Sequence, residues 1–543
     1  MVSLLERLNH YLNRRIHAPF FLIFSLLVYG CAFFFFLSQA IPNINFAASP
    51  DGQVSNLFTE QISDNHSFVV SLPSDIPSGL AQYLVPRSTR FQSDLHAFSM
   101  SSFYGLPVFY SFAHILFSYY LIFTFTLLSI LVLLYFIIHK LSHSKRNAFY
   151  LTLFFALQPV LIYYALRGFM HNLLFLFFML LTYAMIILFK KTSHSYYIYL
   201  TGIVLGFAGG VRMNELVWLF PLVLIILFAS HSLQIKNLFR FLAGFTAAAL
   251  PFIFISKSIS SSFVQYIEFN EQTLSSHSFF QTIKSLIFPF GFDFQNSFSF
   301  FWAYLQNEWL YYIPLILILA LGSKNYFKNF SLRKIIFSLI FVFLLLYLIL
   351  YYGSSSFGLT KNIVSVGDSF SRYWFPIMFI FLVPSIFSLN NLSKKVSKLL
   401  VILLLFAATF SFFYPMDQSF QDLTLENNLA KNRNVSMTKY LNQDSVLLAG
   451  RADKFFIHNN KIVAGTRMHT KRQAFVNELL QYRMSRDVYY YHVSADISSH
   501  FTKEALEAAG VEFTYVVQFW DGGNAWEYLY KLDWPNKENN VNE

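Results

Sequence analysis

Charge is scarce in this sequence and cysteine nearly absent. Only 12% of the 543 residues are Asp, Glu, Lys or Arg, while 55% are hydrophobic and 20% aromatic. Apolar runs of about 20 residues, the length that crosses a hydrocarbon core, recur along most of the chain. That balance defines a polytopic integral membrane protein. The single cysteine, Cys31, excludes an intramolecular disulfide, a Cys-rich zinc site and an iron–sulfur cluster, and leaves the redox compartment unread. No P-loop and no GxGxxG is present, so no nucleotide-binding fingerprint exists. The first apolar run lacks a small-x-small cleavage site and reads as a retained helix rather than a signal peptide. Internal repeats and long low-complexity tracts are also missing.

The net charge of +11 is explained by where the cations lie. Membrane helices are expected near 20–40, 112–139, 148–165, 169–189, 197–211, 215–230, 241–256, 303–321, 335–352, 374–390 and 399–415, about eleven in all. If the amino terminus with Arg7, Arg14 and Arg15 is cytoplasmic, the remaining inner loops carry Lys140, Lys145 and Arg146; Lys190 and Lys191; Lys236 and Arg240; Lys324, Lys328, Arg333 and Lys334; and Lys394, Lys395 and Lys398. None of these five loops holds an acid. The basic excess follows the positive-inside rule at every crossing and calls for no nucleic acid. Residues 41–107, the turns at 166–168 and 212–215, residues 257–302 and 353–373, and everything after 415 then share the outer side.

On that side ionisable residues gather near helix ends, where their cost in lipid makes them functional candidates. Asp51 follows Pro50 in the first outer loop. Arg87, Arg90 and Asp94 precede the second helix, Arg167 and His171 flank the turn between helices three and four, Arg212 and Glu215 lie in GGVRMNELVW, and Arg372 lies in SRYWFP. A guanidinium grips phosphate oxygens with two prongs and keeps its charge when partly desolvated, so a phosphate-bearing lipid is the natural ligand. Each residue has a plainer reading. Pro-Asp-Gly is a turn signal; Arg167 could snorkel; His171 could satisfy a carbonyl. The i, i+3 spacing of Arg212 and Glu215 favours a structural ion pair. Arg372 beside Tyr373 and Trp374 suits an aromatic belt, and Arg87, Arg90 and Asp94 suit solvated surface.

These marks together resemble the GT-C superfamily of polyprenyl-phosphate-dependent glycosyltransferases, particularly the protein O-mannosyltransferase and lipid A aminoarabinose transferase branch. The resemblance rests on SPDGQ in the first outer loop, YYALRGFMHNLLF, GGVRMNELVW, SRYWFP and a soluble outer carboxy-terminal domain, over roughly residues 10–415. It implies a transmembrane catalytic domain over 1–415, with outer loop 41–107. It also implies a polyprenyl-phosphate sugar donor, a lipid, glycan or protein acceptor, and Asp51 as the base that deprotonates the acceptor. Gly52 stands where the family often has a second acid, and His171 and Asn172 stand where many members carry an acid. The second acidic site and any divalent metal are therefore left open, with Asp94 or Glu215 as substitutes. The competing readings are a lipid or glycolipid transporter or flippase, and a non-catalytic scaffold.

After Pro415 the composition changes. Residues 416–543 hold 16 of the 28 acids and alternate strand-like runs (SVLLAG, DVYYYHV, VEFTYVVQFW) with amphipathic ones (TKRQAFVNELLQYRM, FTKEALEAAG), which predicts a small α/β domain that helps bind acceptor or partner. Arg451, Asp453 and Lys454 read as a solvated turn. Phe and Tyr spacing in 257–302 suggests an interfacial helix, and the Gly- and Ser-rich stretch 353–367 reads as a loop.

Overall fold

The structure, a computed structural model, describes residues 18–40, 50–86, 89–100, 104–166, 170–229, 234–259, 287–288, 292–307, 309–328, 332–353, 375–390, 392–413, 439–442, 444–456, 462–465, 467–481, 486–494, 496–520 and 526–534. In chain order the main elements are α1 (Ala18–Ala40), α2 (Pro50–Asn65), β1 (Val69–Ser71), β2 (Thr89–Gln92), β3 (Ala97–Met100), α3 (Gly105–His114), α4 (Tyr119–Ser142), α5 (Lys145–Ala156) and α6 (Pro159–Leu166). Then follow α7 (Met170–Thr192), α8 (Tyr196–Val211), α9 (Leu216–Ala229), α10 (Ile235–Ile259), α11 (Phe294–Asn307), α12 (Trp309–Lys328), α13 (Leu332–Gly353), α14 (Phe375–Asn390) and α15 (Lys394–Phe413). The last stretch holds β4 (Val446–Leu448), β5 (Val463–Ala464), α16 (Arg472–Gln481), β6 (Val488–Val493), α17 (Ile497–Ala508), β7 (Glu512–Trp520) and β8 (Trp526–Asp533).

Two compact units result. A helical unit takes Met1–Leu37, Tyr120–Phe254 and Val264–Gln421; a mixed unit takes Ser38–Tyr119, Ile255–Phe263 and Asp422–Glu543. The first loop thus groups with the carboxy-terminal residues rather than with the helices.

Among the described residues three helices of the chain are long and apolar enough to cross a membrane, over Tyr119–Ser142, His171–Thr192 and Ile235–Ile255. Shorter apolar helices include Ile23–Ser38, Tyr196–Val211, Met213–Leu227, Ser338–Tyr352 and Phe375–Leu389. The run expected at 148–165 is two helices, because Pro159 cannot donate to a continuing helix and Gln158 turns the chain. The run expected at 303–321 is likewise divided, its first residues ending α11 and the rest forming α12, and the two helices meet at a bend of 94°. Most of the interfacial segment expected at 257–302, and all but the first residue of the loop at 353–367, lie outside the described residues.

Within the helical unit α14 is apolar on all sides and accordingly central, with Phe375, Ile377, Leu382 and Ile386 buried. Tyr311 of α12 donates its hydroxyl to the Met378 carbonyl at 2.8 Å. Helices α8 and α10 meet backbone to backbone, since lipid supplies no hydrophobic drive and small residues permit close contact. A Cβ at Gly202 would fall 2.1 Å from the Phe241 oxygen, and one at Gly244 2.2 Å from the Tyr199 oxygen. We expect Gly202→Ala to force these helices apart and to destabilise the protein by about 1–3 kcal/mol, read as a lower unfolding temperature in detergent.

The mixed unit holds two sheets. Helix α2 opens with proline in its first turn, where the missing N–H has no partner to lose. It buries Val54 and Phe58, the latter edge-on to Phe98 of β3 at 6.2 Å. Strands β1, β3 and β2 form an antiparallel sheet in that order. The second sheet runs β5-β4-β6-β8-β7, parallel among its first three strands and antiparallel in the rest. Leu447, Tyr489, Tyr491 and Leu529 bury one face with Phe456. Asp453, expected in a solvated turn, is 1% exposed. The reason is that the cluster folds as a 3-10 helix, Gly450–Phe455, against that core.

The loop is clasped to this second sheet's domain. Arg486 forks onto Asp75, Nε to Oδ2 at 2.6 Å and Nη2 to Oδ1 at 3.0 Å. Gly465 N–H donates to the Val85 carbonyl at 3.2 Å, and Tyr83 meets Phe475 edge-on at 5.6 Å. The hydrogen bonds from Arg486 hold the Asp75 carboxyl below the usual carboxylate range. Its folded pKa is therefore below its unfolded one, about 3.9. The clasp is at full strength above that value and is lost as pH falls through the folded pKa. With Asp75 42% exposed, Asp75→Asn is expected to weaken the clasp by about 0.5–1 kcal/mol. Hydrogen exchange over residues 68–86 should rise in the variant at pH 7, and the difference between the two proteins should shrink as pH falls from about 4 through the folded pKa of Asp75.

Candidate functional site

Helix α8 ends in Gly209-Gly210-Val211, and Arg212 leaves the helical region at φ −149° and ψ 84°. The two glycines admit Leu216 and Phe252, whose side chains would lie 2.6 and 2.4 Å from added Cβ atoms. A single 3-10 turn, Met213–Glu215, then leads into α9. A break between apolar helices exposes backbone groups that lipid cannot satisfy, so protein must line it. It does: Tyr351 of α13 donates its hydroxyl to the Asn214 carbonyl at 2.8 Å.

This turn carries a buried charged centre. Arg212 is 3% and Glu215 2% exposed. Arg212 Nε donates to Glu215 Oε1 at 3.1 Å, with Nη2 2.8 Å from the same oxygen. The other oxygen, Oε2, accepts from the Trp218 indole at 2.6 Å and from the Tyr352 hydroxyl. Hence the pair predicted from its i, i+3 spacing exists, and it is withdrawn from water with a four-donor shell around one carboxylate. Such a centre tolerates desolvation because both oxygens are hydrogen-bonded. Trp218 sits three residues beyond Glu215 on the same face, a signal present in NELVW; Tyr351 and Tyr352, 136 or more residues away, carried none.

Trp218 also borders a cavity of about 120 Å³ between α7, α9, α13 and α14. Its wall is almost wholly apolar, including Met179, Leu222, Ile340, Phe379 and Val383. Ile225 on the same wall is 42% exposed. His171 is buried in the first turn of α7, one turn before Phe175, which packs edge-on to Trp218 at 6.1 Å.

The mixed unit holds three of the other predicted residues. Asp51 is the second residue of α2; the Pro-Asp-Gly signal starts a helix here, not an isolated turn. Arg90 lies on β2, half-buried, opposite Ser99. Asp94 is exposed in a 3-10 turn and accepts from the Ser93 hydroxyl at 3.2 Å, as the solvated-surface reading expects. Arg87, Arg167 and Arg372 lie outside the described residues. Among the described residues no group of three His, Cys, Asp or Glu is placed to hold a metal ion. The chain matches no protein-family model and no curated protein.

Proposed function

We propose that this chain is an integral-membrane glycosyltransferase of the GT-C type. It would move a sugar from a polyprenyl-phosphate donor to a lipid, glycan or protein acceptor on the outer face of the membrane. In this reading about eleven helices span the bilayer, the amino terminus is cytoplasmic, and the carboxy-terminal α/β domain is extracytoplasmic. The observation that carries the proposal is the apolar cavity beside Trp218, one hydrogen bond from a buried guanidinium–carboxylate centre. Lipid-soluble substrates need such a pairing, a hydrocarbon slot for the chain next to fixed polar groups that orient the head.

The chemistry would run as a single displacement. The Asp51 carboxylate takes the proton of the acceptor hydroxyl, whose oxygen attacks the anomeric carbon. The bond from that carbon to the phosphate oxygen breaks, the oxygen keeps the electron pair, and configuration inverts. Cationic side chains stabilise the departing phosphate, the role proposed for Arg87, Arg90, Arg167 and Arg372. The buried Arg212–Glu215 pair and His171 position the lipid rather than touch the reacting atoms. Any divalent metal would assist the phosphate.

The test is sugar transfer from a radiolabelled polyprenyl-phosphate sugar by purified protein in nanodiscs. Filling the slot with Val383→Trp should raise the donor KM and leave the protein folded. Donor translocation with no labelled acceptor would instead establish a flippase and sink the transferase.

A further inference from the structure

We propose that α3 and the turn after it dock on the membrane surface where α4 begins, and so fix the height of α2 at that surface. The membrane helix expected from residue 112 starts only at Tyr119. Residues 112–118 are a separate surface. Phe112, Ile115 and Leu116 fall on one side of α3 and its closing turn, at i, i+3 and i+4, and are 71%, 70% and 75% exposed. The Leu116 and Phe117 N–H groups both donate to the Ala113 carbonyl, at 3.1 and 2.9 Å, which closes the turn. The opposite side of α3, with Leu106, Pro107 and Tyr110, is buried, and α2 is the helix it packs against. A helix that is apolar on both sides needs two apolar neighbours, and α2 is one.

The second neighbour is a lipid surface. Phe117 is two residues from Tyr119, where a helix long and apolar enough to cross a membrane begins. Two residues of chain reach about 7 Å at most. The 24 residues of α4 run about 36 Å at 1.5 Å each, more than the roughly 30 Å of a hydrocarbon core, so the helix ends reach the headgroups. The patch is therefore held beside the acyl boundary by the chain itself. Residues 105–118 contain no Asp, Glu, Lys or Arg, as contact with acyl chains demands. A protein partner would call for a polar rim, and along residues 112–118 only His114 and Ser118 are polar. Docking α3 also sets α2. The Tyr119 hydroxyl donates to the Asn56 carbonyl at 3.4 Å, and the His114 ring stacks on Tyr119 at 4.5 Å. The middle of α2 is thus tied to the first residue of the membrane helix. Asp51 precedes Asn56 in α2 by about 7.5 Å along the axis, the thickness of one headgroup region.

The docking rests on α4 crossing a bilayer and not on the transferase reading, so sugar transfer is not its readout. Phe112→Cys, Leu116→Cys and, as a water reference at an exposed carboxylate, Glu504→Cys are made one at a time in a Cys31→Ser background and spin-labelled. Full-length protein is placed in nanodiscs of palmitoyl-oleoyl phosphatidylethanolamine and phosphatidylglycerol. Collision with oxygen and with a nickel chelate should place the labels at 112 and 116 about 5–10 Å into the headgroup and acyl boundary, and the label at 504 in water. Water-like labels at 112 and 116, or labels closed to both reagents because protein covers them, overturn the proposal. Dipolar broadening between copies assigns the patch to a second chain and overturns it too. Leu116→Asp should lift α3 off the lipid and raise hydrogen exchange across residues 50–65 about tenfold in nanodiscs, while Leu116→Met leaves it unchanged. Leu116 is exposed, so unchanged circular dichroism separates lost docking from lost fold. Exchange in α2 that is indifferent to Leu116→Asp overturns the link between docking and α2.

Discussion

Asp51→Asn protein is expected to transfer sugar some 10²–10⁴-fold more slowly than the unmodified chain, with donor binding unchanged. The size follows from the role: a general base that cannot accept a proton leaves the attacking hydroxyl unactivated. The substitution discriminates because of where Asp51 sits. As the second residue of α2 it occupies a helix amino terminus, where a carboxylate gains from the helix dipole. Removing that charge costs only the charge–dipole gain, so stability should move by no more than about 1 kcal/mol. A residue present only to start the helix would therefore lose almost no activity. Lys398→Gln supplies the control, and near-normal transfer by Asp51→Asn would remove Asp51 from the chemistry.

Glu215→Ala is expected to destabilise the helical unit by about 3–5 kcal/mol, the usual consequence of stranding one partner of a buried ion pair. Arg212 is 3% exposed and would keep its charge without its carboxylate, while the Trp218 and Tyr352 donors would lose their acceptor. Glu215→Gln retains an acceptor and should lose less. The double variant Arg212→Met with Glu215→Leu should regain most of the stability, because matched apolar groups remove both desolvation penalties at once. Denaturation in detergent micelles measures all three. If the double variant is also stable yet inactive, the centre serves substrate; if Glu215→Ala melts like the parent, the pair is not sealed from water.

Hydropathy made most of the helical unit readable. Helices stand at the positions expected for 197–211, 335–352 and 374–390 to within a few residues, because an apolar run in lipid has few alternatives to a helix. The strands β4, β6 and β7 were legible for a different reason, short runs rich in Val, Leu, Tyr and Phe. What stayed hidden was short or ambiguous. Strands of three and four residues in the first loop are too brief for alternation to register, and WEYLYKLD mixes charges with apolar residues so that β8 did not read as a strand. Pro-Asp-Gly signals a turn and a helix start equally well. For the site, the Arg212–Glu215 pair was visible in its spacing, but its burial and its tyrosine cap come from α13, more than 130 residues downstream. No local pattern encodes that.

The clasp between Asp75 and Arg486 joins positions 411 residues apart. During synthesis the first loop therefore leaves the ribosome and waits while the apolar helices from α4 to α15 are made. Only when the final strands emerge can it find its partner. A chain cut short before Arg486 would insert normally and still leave that loop as bait for proteases, which makes the last hundred residues a completeness check on the whole polypeptide.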